Sequence, residues 1–303
     1  MTFAEYLEKY GVQDGLRSVL NTIAGILPEV AKSLKAGEQG YAGTQNVYGE
    51  KQLKLDVISN KLFTDSLRKN PNVSLLASEE MDKEIIGSAK EEGYAVAFDP
   101  LDGSSLVDVN LAVGSIFGVY GGKSFIGRRG SEQVAALIAV YGSRLTFMVS
   151  VGKGVAEFLF DEAKKTFILQ KEKIVLDAEK KMFSPGNLRA CGSLVWYMEL
   201  LQYWAKNGYL LRYSGGMVPD LNQILKKGGG IFAFPGYGEM PDGKLRLLYE
   251  CAPMAYIVEQ AGGKADFGQG RILDLEIRKL DQRTPIFLGS TKEVETVLGY
   301  LKG

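Results

Sequence analysis

The chain has 303 residues, of which 46% are hydrophobic and 24% charged, the composition of an ordinary globular protein. Its 36 basic and 36 acidic residues cancel, so no overall charge draws it to nucleic acid or to an anionic membrane surface. The lack of histidine excludes serine–histidine catalysis and histidine zinc sites, and two cysteines, Cys191 and Cys251, are too few for a cysteine-rich metal site. Any catalysis must therefore use carboxylates, hydroxyls, Lys, Arg or hard metal ions.

Helical spacing of apolar residues predicts an amphipathic helix over Leu16–Leu34, and a second helix is expected over Leu55–Leu67. Between them, the glycine-rich segment Gly37–Gly49 predicts a mobile loop rather than a regular element. Short apolar runs predict buried strands over Asn72–Ser78 and Tyr94–Phe98.

The middle of the chain is rich in strands, and the remainder mixes strands and helices. Runs bounded by glycine or charged turns predict strands at SIFGVYG (115–121), QVAALIAVYG (133–142), RLTFMVSVG (144–152), VAEFLF (155–160) and TFILQ (166–170). Helices are expected at Val195–Lys206, Pro219–Lys227, Pro253–Ala261 and after Ser290, where Ser290 and Glu293 fit a capping box. Further strands are expected at Tyr209–Tyr213, Gly230–Phe234, Lys244–Tyr249 and Pro285–Leu288. This mixture predicts a layered α/β or α+β fold, with a boundary in the charged stretch Glu172–Lys181.

The N-terminus and the apolar stretches indicate a cytoplasmic protein that binds no membrane. The first residues include acids where a secretory signal would be basic, and no unbroken apolar core follows. The best apolar stretch, Val134 to Val151, is interrupted by Ser143 and Arg144 and cannot span a bilayer. Two cysteines without a CxxC pair fit a reducing compartment.

The most informative motif is DPLDGSS, which follows the predicted strand at Tyr94–Phe98. Hard divalent cations bind several converging oxygens, and Asp99, Asp102 and the Leu101 carbonyl are candidates. The following Gly-Ser-Ser amides would bind a phosphate if they open a helix. The same residues also fit an acidic turn with a helix cap, so the motif alone leaves both interpretations open.

Other acids lie where a predicted element begins or ends. Glu79 and Glu80 follow one strand, Glu250 precedes a helix, and Glu50 and Asp56 lie at a loop-to-helix junction. Each alone fits a solvated acid or one favoured by a helix N-terminus. Together, in a chain without histidine, they predict a carboxylate-built site for more than one metal ion.

Several segments resemble the magnesium-dependent, lithium-sensitive sugar phosphatases, in the branch of fructose-1,6-bisphosphatases and sedoheptulose-1,7-bisphosphatases. They are SEE (78–80), FDPLDGSS (98–105), RYSGGMVPD (212–220) and KLRLLYECAPMAYIVEQAGG (244–263). The segments MFSPGNLRA (182–190) and LDQRTPIFLGS (280–290) are more similar to the sedoheptulose-bisphosphatases. The resemblance implies a layered α-β-α-β-α sandwich with its site between a metal-site half, 1–172, and a sugar-phosphate-binding half, 173–303.

The resemblance also implies the reaction and the residues that perform it. The reaction is hydrolysis of the 1-phosphate of sedoheptulose 1,7-bisphosphate, fructose 1,6-bisphosphate or both, with two or three Mg²⁺ ions that Mn²⁺ can replace. The implied metal ligands are Glu79, Asp99, Leu101, Asp102 and Glu250. Glu80 and Asp56 would activate the attacking water, and Glu50 would lie on a loop that closes over the site. The implied substrate-binding residues are Gly103, Ser104, Ser105, Asn187, Arg212, Tyr213, Met217, Lys244 and Arg246.

The resemblance implies a homo-oligomer, a dimer or tetramer, because Arg212 matches an arginine that reaches into the neighbouring subunit's site. The sequence departs from the fructose-bisphosphatases at Phe234, where a substrate-binding tyrosine is common, and it has no NEGY segment. A strict fructose-1,6-bisphosphatase and a non-catalytic sugar-phosphate sensor are the alternatives. An aspartyl-phosphate mechanism is disfavoured, because that chemistry uses a DxD pair rather than the DxxD found here.

Overall fold

The computed structural model describes residues 1–36, 41–45, 51–186 and 188–303. Within these ranges the helices are α1 (Phe3–Lys9), α2 (Asp14–Ala36), α3 (Lys54–Lys69), α4 (Val195–Lys206), α5 (Met217–Lys227), α6 (Ala252–Gln260) and α7 (Thr291–Lys302). The strands there are β1 (Tyr41–Gln45), β2 (Lys51–Leu53), β3 (Val73–Ser78), β4 (Ile85–Ile86), β5 (Tyr94–Asp102), β6 (Val113–Gly121), β7 (Gln133–Tyr141), β8 (Leu145–Ser150), β9 (Val155–Asp161), β10 (Thr166–Ile174), β11 (Met182–Pro185), β12 (Leu210–Leu211), β13 (Ile231–Phe234), β14 (Lys264–Asp266) and β15 (Ile286–Gly289). No helix in the described ranges is long and apolar enough to cross a membrane.

Two sheets form the frame of the molecule. The larger has the order β10-β9-β8-β7-β6-β5-β3-β4, and its only parallel pair within the described residues is β3 with β5. The smaller has the order β12-β11-β13-β15-β14. Strands β1 and β2 form a separate antiparallel pair.

The elements stack in five layers, α-β-α-β-α, as expected from the sequence. Helices α1, α2 and α3 cover the outer face of the large sheet, where the apolar stripe of α2 is buried. Helices α5 and α6 fill the space between the two sheets, and α6 is buried along nearly its whole length. Helices α4 and α7 cover the far face of the small sheet. Side chains from both sheets meet in the central cluster around α5 and α6, so the two sheets share one core. The proposed division at residues 172 and 173 stays a prediction.

The structure confirms the expected helices and the five central strands, and it overturns four local predictions. The first concerns the predicted strand Lys244–Tyr249. Its end instead enters a π-helical turn, Leu247–Cys251, that leads into α6. An apolar run buried on every side has no periodicity to separate strand from helix.

The second correction concerns the segment Gly37–Gly49, expected to be a loop. Its residues 41–45 form β1 because they pair with β2, a contact that composition does not reveal; the rest of the segment lies outside the described residues. The third is the strand predicted to end at Phe98, which continues to Asp102 because β6 remains paired with it.

The fourth correction is the capping box of α7. Ser290 lies at the N-cap, but its hydroxyl accepts the Gly230 amide at 3.1 Å and makes no cap hydrogen bond. Glu293 accepts the Lys180 amide at 3.0 Å and the Tyr209 hydroxyl at 2.8 Å. Tertiary partners therefore replace the local ones.

Candidate active site

Glu79 and Asp99 lie side by side because their strands are parallel neighbours. Ser78, the last residue of β3, pairs with Phe98 of β5. The Glu79 amide donates a hydrogen bond to the Phe98 carbonyl at 3.1 Å, which extends the contact by one residue. Both carboxylates are therefore placed at the same end of the sheet, and Glu80 follows on the next position.

A β-bulge brings Asp102 to the face of the sheet that Asp99 occupies. Asp99 pairs with Ile116 and Asp102 pairs with Gly114, so two residues of β5 lie opposite one residue of β6. In a regular strand, residues three apart point to opposite faces. The extra residue of the bulge reverses the second one, and both carboxylates face one cavity.

Glu250 comes from a different part of the chain, the π-helical turn that packs against β5 and β6. Such turns are frequent at functional sites. Among the residues that the structure describes, one carboxylate oxygen each from Glu79, Asp99 and Glu250 lies within 4.8 Å of the others. Three chain segments distant in sequence therefore converge on one point.

Arg246 lies among these acids and is 3% exposed. Its guanidinium forms an ion pair with Glu79, and its amide donates to the Glu250 carboxylate at 2.6 Å. A single guanidinium cannot balance the carboxylates of Glu79, Asp99, Asp102 and Glu250, so this part of the site attracts further positive charge.

Burial and mutual repulsion raise the pKa values of these carboxyls. The pKa of Asp99 lies well above its ordinary range, first because of burial and then because of the charges of Glu79, Asp102 and Glu250. Burial raises the pKa of Asp102 to about 7, although the Val218 amide donates to it at 2.7 Å and opposes the shift. The pKa of Glu250 is raised by burial and then by Glu79.

A divalent cation would counter both causes, because it supplies positive charge at the point where the carboxyls repel one another. Buried carboxylates beside a backbone carbonyl are the oxygen donors that Mg²⁺ and similar hard ions bind. The donor set of this site therefore fits such an ion.

These acids lie in a cavity of about 400 Å³. The predicted site residues that line it are Asp56, Glu79, Glu80, Asp99, Leu101, Asp102, Gly103, Ser104, Ser105, Tyr213, Met217, Lys244, Arg246 and Glu250. Arg212 is exposed and is absent from the described lining. Glu50 and Asn187 lie outside the described residues.

The wall of the cavity contains residues to which the sequence assigned no role. Phe232 comes from β13 and Asp220 from the first turn of α5. Phe234, where the sequence departs from the fructose-bisphosphatases, also lines the cavity. Asp220 accepts the Ser184 hydroxyl at 2.9 Å and the Ser214 amide at 2.8 Å. An apolar residue such as Phe232 in a short strand is typical of any core, so the sequence carries no signal that would identify it. Asp220 lies within a motif already singled out.

Glycine allows two walls of the cavity to approach closely. Gly103 adopts a φ of +75°, and a Cβ there would lie 3.3 Å from the Gly216 Cα. Ser104 then begins a short 3₁₀ helix, Ser104–Val109. The GSS segment therefore leads from the bulge into a helical turn, as the sequence suggested.

Comparison with known proteins assigns the chain to a family. The family models for the N-terminal and C-terminal domains of fructose-1-6-bisphosphatase match residues 4–172 and 176–302. The class 1 fructose-1,6-bisphosphatase of Geobacter sulfurreducens is 43% identical over 98% of this chain and 95% of its own length. The chloroplastic sedoheptulose-1,7-bisphosphatase of Spinacia oleracea is 38% identical over 96% of this chain and 75% of its own length.

The solved structures agree with this assignment. The crystal structure of Leishmania major fructose-1,6-bisphosphatase in holo form superposes with a TM-score of 0.95 at 36% identity, covering 100% of this chain and 99% of that one. The resemblance expected from the sequence is confirmed: this chain belongs to the fructose-1,6-bisphosphatase family of metal-dependent sugar bisphosphatases, which are phosphoric monoester hydrolases.

Proposed function

We propose that this protein hydrolyses the 1-phosphate of a ketose bisphosphate, either sedoheptulose 1,7-bisphosphate, fructose 1,6-bisphosphate or both. The observation that carries the proposal is the convergence of Glu79, Asp99 and Glu250 within 4.8 Å in a cavity of about 400 Å³. A sugar phosphate needs local positive charge in a protein of zero net charge. Metal ions held by these acids would supply most of it.

We propose Mg²⁺ as the metal, two or three ions per site, with Mn²⁺ able to replace it. The carboxylates of Glu79, Asp99, Asp102 and Glu250 and the Leu101 carbonyl would hold the ions. When bound, these ions would lower the pKa of water and neutralise the charge of the transferred phosphoryl group. The 4.8 Å grouping and the raised carboxyl pKa values support this assignment.

The other residues would bind substrate and move protons. Asp56 and Glu80 both line the cavity and would accept the proton of the attacking water. Glu50 would lie on the loop that closes over the site. The amides and hydroxyls of Gly103, Ser104 and Ser105 would hold the transferred phosphate.

The sugar and its distal phosphate would bind in the same cavity. Tyr213, Met217 and Lys244 line it, and the Tyr213 hydroxyl donates to the Gly186 carbonyl at 3.0 Å. Asn187 would also contribute to this binding. Arg246 would contact the sugar once a metal ion replaces its positive charge beside Glu79.

The substrate preference is proposed as dual. The relatives are named as fructose-1,6-bisphosphatase and as sedoheptulose-1,7-bisphosphatase, at 43% and 38% identity. The two sugars share their C1 end and differ by one carbon, which typically supports only about 1–3 kcal/mol of discrimination.

We propose that the protein is a cytoplasmic homo-oligomer, a dimer or tetramer. Strand β12 lies at the edge of the small sheet, and its two leucines, Leu210 and Leu211, are 50% and 53% exposed. Exposed apolar edge strands favour pairing with another chain. Arg212 follows directly and would reach into the partner's site. The free cysteines Cys191 and Cys251 support the cytoplasmic location.

The proposal is tested by measuring phosphate release from both bisphosphates with one preparation. We expect turnover of both with added Mg²⁺, loss of turnover after chelation, and recovery when Mg²⁺ or Mn²⁺ is restored. Turnover of fructose 1,6-bisphosphate alone would identify a strict fructose-bisphosphatase. Tight sugar-phosphate binding without phosphate release would identify the sensor and overturn the proposal.

A further inference from the structure

A fully buried serine lies opposite the bulge that aligns the two aspartates. Ser115 of β6 is the single residue facing Pro100 and Leu101, the two residues of the bulge. Its hydroxyl donates a hydrogen bond to the Pro100 carbonyl at 2.7 Å. The contact is therefore made to the backbone of the bulge rather than to a side chain.

The peptide unit between Pro100 and Leu101 is held at both ends. Its carbonyl accepts the Ser115 hydroxyl, and its N–H donates to the Asp99 carboxylate at 2.9 Å. The orientation of this one peptide plane therefore affects two groups of the site. It holds the Asp99 carboxylate, and it affects the position of the next carbonyl, that of Leu101. Pro100 itself has no N–H with which to form a ladder hydrogen bond.

Tyr141 fixes the direction of the serine hydrogen bond. The Tyr141 and Ser115 hydroxyl oxygens are 2.8 Å apart, and both residues are buried. Each hydroxyl has one hydrogen. The hydrogen of Ser115 is used for the Pro100 carbonyl, which can only accept, so Tyr141 donates to Ser115. The result is a chain of hydrogen bonds from Tyr141 through Ser115 to the bulge.

We propose that Ser115, oriented by Tyr141, is a positioning residue. It stabilises the conformation of the bulge and thereby orients the carboxylates of Asp99 and Asp102 towards the bound cation. This inference rests on the proposed metal site. Ser115 touches neither metal nor substrate and acts through the Pro100–Leu101 peptide. Removal of groups that orient metal ligands typically reduces metal affinity 10- to 100-fold.

The test is Mn²⁺ binding to the full-length protein without substrate, measured by the electron paramagnetic resonance signal of free Mn²⁺. Ser115→Ala removes the hydroxyl, and Ser115→Thr keeps it. Ser150→Ala is the matched control, because Ser150 is also fully buried in the large sheet, on β8, but accepts from the Gly152 amide away from the bulge. Tyr141→Phe removes only the outer hydrogen bond.

We expect the Mn²⁺ dissociation constant to rise about 10- to 100-fold in Ser115→Ala and about two- to tenfold in Tyr141→Phe. Ser115→Thr and Ser150→Ala should bind Mn²⁺ with nearly wild-type affinity. Wild-type affinity in folded Ser115→Ala would overturn the positioning role, as would an equal loss in Ser150→Ala. If Ser115→Ala does not fold, Tyr141→Phe decides in the same way. Absence of Mn²⁺ binding to the wild-type protein would instead overturn the proposed metal site.

Discussion

The buried acids make the metal-free protein less stable as the pH rises. The pKa of Asp102 is raised from 3.8 to about 7 in the folded protein. A carboxyl with a raised folded-state pKa contributes its full stability below the unfolded pKa and loses it as the pH increases towards the folded pKa. This stability is therefore lost between about pH 4 and pH 7. The pKa values of Asp99 and Glu250 are raised as well, so both residues add to the loss.

The size of the effect follows from the shift of Asp102. A difference of about 3 pKa units corresponds to about 4 kcal/mol in full, of which about 2–3 kcal/mol falls between pH 5 and pH 8. For a chain of this size that is a decrease in Tm of about 5 °C. Asp102→Asn should lack this part of the pH dependence, because the amide does not titrate.

The assay is calorimetric unfolding of wild type and Asp102→Asn at pH 5 and pH 8 in the presence of a chelator. From pH 5 to pH 8 the Tm of the wild type should decrease more than the Tm of the variant. Saturating Mg²⁺ at pH 8 should abolish this additional decrease. If the Tm values of the two proteins depend equally on pH without metal, burial does not disfavour the charged form of Asp102 and the reasoning is refuted.

Three further predictions concern substrate, regulation and assembly. Lys244→Ala should raise the KM for a bisphosphate about 10- to 100-fold and the KM for a monophosphate less, because one charge-assisted hydrogen bond to the distal phosphate is lost. An equal rise in KM for both substrates would indicate that Lys244 has a structural role. AMP and reduced thioredoxin, which regulate some members of the family that the sequence resembles, should leave the rate unchanged. Gly93 and Gly121 stand beside Tyr94 where AMP-inhibited members have a Lys and an Arg, and Cys191 and Cys251 match neither the spacing nor the location of the regulatory cysteine pair. Micromolar inhibition by AMP or several-fold activation by thioredoxin would contradict this. Leu211→Lys should lower the molar mass measured by sedimentation, whereas Val175→Lys, at a similarly exposed position outside any strand, should not. An unchanged mass in both variants would remove β12 from the interface.

The sequence indicated which residues form the site better than it indicated how the fold brings them together. The acids at positions 79, 99, 102 and 250 stand out because each follows or precedes an apolar segment, and the structure brings them to one cavity. The bulge that turns Asp102 to the side of Asp99 depends on which residues of β6 pair with β5. That register is set by the whole sheet, so the local motif DPLD does not contain it.

The same reason explains the remaining differences. Leu247, Leu248 and Tyr249 belong to a π-helical turn but were predicted as the end of a strand, because residues buried on all sides have no apolar periodicity that would distinguish the two. Glu293 accepts hydrogen bonds from Lys180 and Tyr209 instead of capping its own helix, because tertiary folding places these partners beside it. Phe232 and Asp220 line the cavity through the placement of β13 and α5 against the large sheet. Long amphipathic elements such as α2 were predictable because their pattern is local.

The most direct test of the account is the kcat of Glu79→Gln under saturating substrate and Mg²⁺. Glu157→Gln provides the control, since Glu157 is a carboxylate of similar burial in the large sheet that pairs with Lys226 and lies outside the described lining of the cavity. We predict a decrease of at least ~10³-fold for Glu79→Gln, because the variant loses one of the carboxylates proposed to bind the metal ions. Glu157→Gln should stay close to wild type. A folded Glu79→Gln protein with a kcat within tenfold of wild type would contradict the claim that these converging carboxylates form the catalytic site.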